Sequence, residues 1–174
     1  MYIHIKKNFF SINWKKLKYW IKSQINGQFN IQITLICFSG CRNITDVGLT
    51  LIVSLRRLEC LKINSLKNVT DAIFYGSVTT LKRLECKNCP KMGNSGLFNL
   101  FTQCQSLSFV DLNHCRKVDY HLIEVAAKIT RNRTNNVICK MNLDYTLRLG
   151  YWGLKEQGKS PFLKVSFDNV VPHV

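Results

Sequence analysis

Cysteine, histidine and aspartate lie close together at several points of the chain, so nucleophilic catalysis and zinc binding are the first chemistries to weigh. Asp111, His114 and Cys115 supply the residue types of a Cys nucleophile with a His base. Cys86-x-x-Cys89 has the spacing of half a zinc site. Such a site needs about four ligands, and no matching second pair is found. The spacing of apolar residues along the whole chain indicates whether these side chains have a catalytic or metal-binding role or pack in the core.

Composition places the chain among globular proteins. Its 174 residues suffice for one domain with a sizeable core, and 46% hydrophobic residues argue against disorder. No apolar run approaches the roughly 20 residues needed to cross a bilayer, so we expect no membrane contact. Lys and Arg outnumber Asp and Glu 25 to 10, and the formal net charge is +15. Such a surface favours an acidic partner or a nucleic acid.

An apolar spacing recurs along the chain, most clearly in Leu107-x-x-Val110-x-Leu112-x-x-Cys115. Sliding this pattern along the sequence gives units whose last positions, called anchors below, are Leu17, Cys41, Leu66, Cys89, Cys115, Thr146 and Val170. Most anchors are about 24 residues apart, which is typical of leucine-rich repeats. A polar run at residues 130–136 accounts for the one longer interval, and we expect it to loop out between a helix and a strand.

A second signal follows each anchor by three residues. An apolar residue precedes a Thr, Asp or Asn that can cap a helix, as in Ile44-Thr45-Asp46 and Val69-Thr70-Asp71. We therefore expect helices to start near residues 45, 70, 94 and 119.

The two signals together predict an α/β fold of the leucine-rich-repeat type. A right-handed, curved solenoid of about seven strand-helix units would carry a parallel sheet on its concave face. We expect a single domain over residues 1–174. Residues 1–30 form a degenerate N-terminal unit with its repeat at Phe9 to Leu17, residues 31–130 the regular Cys-type repeats, and residues 131–174 irregular C-terminal units.

The repeat pattern places the candidate catalytic and zinc-binding cysteines at positions that point into the core. Cys41, Cys89 and Cys115 share the anchor position, and Cys86 occupies a core position of a strand. Small, weakly polar side chains suit such places. We therefore expect reduced core thiols in an intracellular compartment, with no catalytic residue, metal or cofactor.

Alternation along the strands predicts a binding face. Residues two, four and six before each anchor point outward on the concave side, and those three, five and eight before it point into the core. The expected partner-binding residues are Lys62, Asn64, Arg83, Glu85, Lys87, Phe109, Asp111, Asn113, Lys140 and Asn142. Phe109 and Arg83 are expected to carry most of the binding energy. Lys87→Ala should be nearly neutral, since Lys87 faces solvent.

Cys41-x-x-Ile44-Thr45-Asp46-x-Gly48-Leu49, followed by Leu55-x-x-Leu58-x-x-Leu61-x-Ile63, resembles the cysteine-containing repeat of F-box/LRR proteins, and the resemblance covers about residues 33–130. It implies a non-catalytic, cytoplasmic or nuclear substrate-recognition part of an SCF (Skp-cullin-F-box) ubiquitin ligase. In that family a separate F-box docks on the Skp adaptor. We find no F-box, because residues 1–30 are basic and lack its Leu-Pro opening. The Skp adaptor and cullin are therefore expected as partners only through an F-box outside this chain.

Two other classes stay open. The Lys-rich start resembles short mitochondrial repeat proteins related to an ATP synthase coupling subunit, which would make the chain an assembly factor. A basic, nucleic-acid-associated scaffold is the other class. We find no RNP stretch and no Gly-rich phosphate loop, so we do not expect nucleic acid as a direct partner.

Overall fold

The computed structural model describes residues 2–4, 33–41, 43–148 and 159–168. Its strands are β1 Tyr2–His4, β2 Leu35–Cys37, β3 Cys60–Lys62, β4 Arg83–Glu85, β5 Phe109–Asp111, β6 Cys139–Leu143 and β7 Leu163–Phe167. Its helices are α1 Asp46–Val53, α2 Asn94–Gln103 and α3 His121–Arg131. Two 3₁₀ turns, Asp71–Phe74 and Tyr145–Leu147, follow β3 and β6. No helix of the described residues is long and apolar enough to cross a membrane.

The strands form one parallel sheet in the order of the chain, from β1 to β7. The predicted α/β class with a parallel sheet is confirmed. At the sheet edge, however, the strand paired with β2 is Tyr2–His4, with Ile3 opposite Ile36. The repeat predicted at Phe9 to Leu17 lies outside the described residues.

The core lies between the sheet and the helical segments. The predicted inward positions in the central strands are buried, including Leu61, Leu84 and Val110, which lie side by side in register. They pack in one cluster with helix residues such as Leu49 and Leu97. The register is wrong at the start of β6. Ile138 is 40% exposed, because Cys139 takes the buried place and donates its N–H to the Phe162 carbonyl at 2.8 Å.

Helical segments begin close to the predicted residues. α1 begins at Asp46, α2 at Asn94 and α3 at His121. The second segment is only the four-residue 3₁₀ turn Asp71–Phe74. Gly76 and Ser77 follow it, and both residue types are poorer helix formers than alanine.

Left-handed turns recur immediately before the anchors of four units, at Gly40 (φ 77°), Ser65 (φ 60°), Asn88 (φ 55°) and His114 (φ 60°). Each of the first three donates its N–H to a carbonyl of the next unit, with N···O distances of 2.7 Å, 2.8 Å and 2.7 Å. Only one of the four is glycine, and this conformation costs free energy for other residues. At Ser65 and Asn88 the hydrogen bonds to the next unit offset that cost. Successive units therefore share the same backbone geometry where the chain leaves the strand.

Side chains at the helix starts join neighbouring units rather than capping only their own helices. Asp46 accepts hydrogen bonds from the N–H and the hydroxyl of Thr70 at 2.8 Å and 2.7 Å. Asp71 accepts from the N–H groups of Gly93 and Gly96 at 3.2 Å and 2.7 Å. Asn94 accepts from the Asp119 N–H at 3.3 Å. We call Asp46, Asp71 and Asn94 the cap column. It satisfies free N–H groups one unit further along the chain.

The insertion at residues 130–136 does not loop out as a whole. Thr130 and Arg131 belong to α3, and Arg133 is buried. The Arg133 guanidinium donates to the carbonyls of Leu107, Val137 and Cys104 at 2.9 Å, 3.0 Å and 3.3 Å. A long cation that satisfies several carbonyls is stable in a buried place, which composition alone does not reveal.

Candidate functional site

The sheet face opposite the helices, called the open face below, carries the predicted partner-binding residues. Register places Arg83, Phe109, Lys140 and Lys164 side by side in four successive strands. A second row contains Lys62, Glu85, Asp111 and Asn142. Parallel strands are about 4.8 Å apart, so each row brings its side chains within reach of their neighbours. The structure thus brings the central predicted residues together on one surface.

Glu85 is neutralised by two neighbours on the open face. Its Oε1 lies 3.1 Å from Lys62 Nζ and 2.8 Å from Arg83 Nε. Burial opposes ionisation of Glu85, but the hydrogen bonds from Arg83 and Lys62 outweigh it and hold the pKa of the carboxyl below its ordinary value. The carboxylate therefore organises the cations of this face and is not free for a partner.

Asp111 and Asn113 are not exposed, which corrects the prediction for these two residues. Asp111 is 3% exposed and Asn113 is 0% exposed. Lys87 covers Asp111 with Nζ 3.1 Å from Oδ2, and Asp111 Oδ1 accepts the Asn113 N–H at 3.3 Å. The Asn113 carbonyl accepts the Asn88 N–H in the turn between units. Asp111 therefore supports the structure from below the surface. Asn113 takes part through its backbone, and its buried side-chain amide has no hydrogen-bond partner among the described residues.

Lys87 is exposed as predicted, but its amine is not free. The hydrogen bond to Asp111 raises the pKa of Lys87 above its ordinary value. Removing the amine would leave a buried carboxylate without its cation, and that costs more than losing an exposed side chain. The expectation that Lys87→Ala is nearly neutral therefore no longer holds.

Phe109 and Arg83 contact each other at the centre of the open face. The Arg83 guanidinium carbon lies 3.8 Å from the centroid of the Phe109 ring, and the Phe109 side chain is half-buried. The cation is thus shared between the ring and Glu85. This arrangement fixes a large aromatic side chain at the surface with little freedom left to lose on binding.

The β6 and β7 end of the face carries unneutralised charge. Lys140 and Lys164 are directly opposite each other in register, and both are exposed. No ion pair to either lysine is found among the described residues. Like charges at opposed positions repel, so an acidic group from a partner would relieve the repulsion. Asn142 and Asn64 have internal roles instead: Asn142 accepts the Ser166 hydroxyl and Asn64 accepts the Lys87 N–H.

The predicted set leaves out several residues of the open face, among them three in the row of Arg83 and Phe109. Lys164, Cys60 and Leu35 extend the row of Arg83 and Phe109 at its two ends. All three lie six residues before an anchor, the same position as Arg83 and Phe109. The alternation rule therefore contained the signal for them.

Five thiols are buried in the core, those of Cys86, Cys89, Cys104, Cys115 and Cys139. The anchor Cys41 is only half-buried, and Cys60 lies on the open face. Cys89 Sγ donates to the Ile63 carbonyl at 3.1 Å and Cys115 Sγ to the Cys86 carbonyl at 2.8 Å. Hydrogen bonds with the Cys115 and Cys89 thiols, together with complete burial, raise the pKa of Cys86 well above its ordinary value. Burial also raises the pKa of Cys104 to about 11 and that of Cys139 to about 12. Protonated, buried thiols of this kind are poor nucleophiles.

Asp111, His114 and Cys115 do not form a catalytic arrangement. Cys115 points inward to the Cys86 carbonyl, whereas His114 Nδ1 lies 3.2 Å from Asp144 Oδ2 on the outside. Within the described part of the chain, no group of three His, Cys, Asp or Glu side chains could hold a metal ion.

Comparison with known proteins adds no relative. No protein-family model matches the chain, and no curated protein matches it at a significant level.

Proposed function

We propose that the chain is a leucine-rich-repeat solenoid, curved and right-handed, whose open face binds a partner protein. The recurring left-handed turns, the buried anchors Leu66, Cys89 and Cys115, and the cap column support this proposal, because each is a geometry repeated in neighbouring units. The predicted anchor Thr146 is exposed, so the repeat is less regular after β6. In a solenoid each unit contacts mainly its neighbours, and the strands line a continuous binding surface. On this proposal the domain has no chemistry of its own.

The observation that carries the proposal is the Phe109 ring held under Arg83 on the open face. Energetically important contacts in interfaces concentrate on aromatic residues and arginine surrounded by polar groups. Lys62, Lys140 and Lys164 supply such surroundings. The net charge of +15 favours a partner with an acidic surface.

A crosslinking comparison tests the open face. Phe109→Ala and Arg83→Ala should each weaken the binding of the partner by about 2 kcal/mol or more. Tyr75→Ala is the matched control, because Tyr75 is a 60% exposed aromatic directly after a 3₁₀ turn and outside the strands. If Tyr75→Ala abolishes capture and Phe109→Ala behaves as the unchanged chain, the binding surface is elsewhere. Circular dichroism of each variant separates lost binding from lost folding.

The charged surroundings give a kinetic test. Lys62→Glu and Lys140→Glu should slow association at low salt, and the effect should fade as salt screens the charges. Lys128→Glu on α3 makes the same charge change on an exposed helix position. Equal effects of Lys128→Glu and Lys140→Glu on the association rate would assign the attraction to net charge alone.

For the cellular role we propose the substrate-recognition part of an SCF ubiquitin ligase, acting in ubiquitin-dependent protein catabolism in the cytoplasm or nucleus. The resemblance of the Cys-containing repeats to F-box/LRR proteins supports this role. Depleting the chain from cells should lengthen the lifetime of the captured partner, and residues 1–174 alone should not bind the Skp adaptor. Direct adaptor binding by these residues, or an unchanged partner lifetime, would contradict the proposal.

A further inference from the structure

A cleft of about 470 Å³ lies beside the amino-terminal ends of the strands. Its lining includes Arg56, Arg57, Lys82 and Glu59, together with the hydroxyl-bearing Thr79 and Ser106. The residues come from the segments that precede β3, β4 and β5. The left-handed turns lie at the opposite, carboxyl-terminal ends of the strands, so the cleft is separate from the centre of the open face.

The charge in the cleft is not balanced. Lys82 Nζ lies 2.8 Å from Glu59 Oε1, so this one acid is already paired. Arg56 and Arg57 are both exposed, and no acid pairs with either arginine among the described residues. Two guanidinium groups are thus left to face solvent in the same cleft.

The backbone beneath the two arginines is fixed. Arg56 and Arg57 lie between Leu55 and Leu58, and both leucines are buried. The Leu55 N–H donates to the Ile52 carbonyl at 3.1 Å and the Leu58 N–H to the Leu55 carbonyl at 3.2 Å. Thr80, from the next unit, donates its hydroxyl to the Leu58 carbonyl at 2.8 Å. The turn therefore presents both arginines without having to fold around a ligand first.

We propose that this cleft is a binding site for a phosphate monoester. Guanidinium groups bind phosphate oxygens through paired, charge-assisted hydrogen bonds, and hydroxyl groups supply further donors. Arg56 and Arg57 would hold the anion, and Thr79 and Ser106 would donate to its remaining oxygens. A phosphorylated side chain of a protein and a free phosphorylated compound share this chemistry.

Titration with inorganic phosphate, followed by amide chemical shifts of the whole chain, tests the site. Saturable shifts are expected at residues 55–59 and 79–82. Arg56→Gln combined with Arg57→Gln should weaken phosphate binding at least tenfold. The control Arg116→Gln combined with Lys117→Gln removes the same charge from another exposed turn and should change the affinity less than twofold. Non-saturable shifts, or equal losses in both double variants, would overturn the site.

Two further measurements sharpen the test. Arg56→Lys combined with Arg57→Lys keeps the charge and should still weaken binding several-fold, because lysine lacks the paired geometry; unchanged affinity would reduce the site to a general positive field and overturn the proposal. A short phosphoserine peptide identifies the source of the phosphate. Binding tighter than that of inorganic phosphate supports a phosphorylated protein, and equal binding supports a free phosphorylated compound.

Discussion

Gly96 lies at a close approach of two neighbouring units. A Cβ atom at this residue would lie 1.8 Å from the carbonyl oxygen of Asp71, and the Gly96 N–H donates to the Asp71 carboxylate. The atom in the way is backbone, so it cannot move aside as a side chain can. The gain in helix propensity of about 1 kcal/mol from alanine is smaller than the cost of parting the units.

Gly96→Ala should therefore lower the free energy of unfolding by about 3 kcal/mol in urea denaturation. Gly76→Ala is the control, because no atom lies within 4 Å of a Cβ atom there. Its free energy of unfolding should change by less than about 1 kcal/mol. Similar values for both variants would contradict the close approach at Gly96.

Glu85 makes stability depend on acid pH. Its pKa is lower in the folded protein than its ordinary value of 4.5, so its contribution is present above that pH and is lost as pH falls through the folded pKa. The urea midpoint of the unchanged chain should fall as the pH drops below about 4.5, and Glu85→Gln should reduce that fall. Parallel profiles for the chain and Glu85→Gln would exclude this role.

At the residue scale, alternation predicted which side of the sheet most strand residues face, including Arg83, Phe109 and Lys140. It could not predict that Asp111 and Asn113 are buried, because their burial depends on Lys87 and on the turn at Asn88. Those contacts join different units. A single repeat pattern contains no information about them.

The cap column connects the elements in one direction along the chain. Asp71 lies in the first turn of its own 3₁₀ segment, yet both of its carboxylate oxygens accept from N–H groups at or next to the start of α2. Charge-assisted bonds to such free donors stabilise a helix by about 1 to 2 kcal/mol. The start of α2 therefore depends on the unit before it.

Asp71→Ala should increase hydrogen exchange at the first turn of α2 more than at residues 71–74, where the substitution lies. Asp119→Ala is a comparison. Asp119 accepts the N–H of His121 in its own unit at 2.9 Å and the Asn94 side-chain amide at 2.7 Å, so its loss should loosen the start of α3. Exchange that rises only around residue 71 would show that the contact between units contributes little.

At this scale the sequence predicted the helix starts because Thr, Asp and Asn mark them. It did not predict the 3₁₀ turn after β3 or the position of Arg133. Both depend on how much chain is available between neighbouring strands and on which carbonyls lie nearby. These are properties of the packed structure.

For the molecule as a whole, stability should be shared between stacked strands. Leu84 is completely buried and lies in register between Leu61 and Val110. Leu84→Ala should cost about 2 to 5 kcal/mol, and amide protection should fall in β3 and β5 as well as in β4. Lys140→Ala, on the other face of the sheet, should stay within about 0.5 kcal/mol. An unchanged thermal midpoint for Leu84→Ala would refute the stacking of these strands.

The parallel sheet and the order of its strands follow from the repeat, because each unit can bury its apolar sides only against the next. The edge strand Tyr2–His4 did not follow. The apolar repeat pattern does not mark this strand, because the end of an array has a neighbour on one side only and need not keep the spacing of the interior.

The buried thiols can report where the repeat array opens. Cys86, Cys89, Cys104 and Cys115 are buried in consecutive units, so an alkylating reagent in solution reaches them only when their part of the array opens. Cys41 and Cys60 are half-exposed and need no opening. The order in which the eight cysteines are alkylated, identified by peptide mass spectrometry, would show which part of the array opens first.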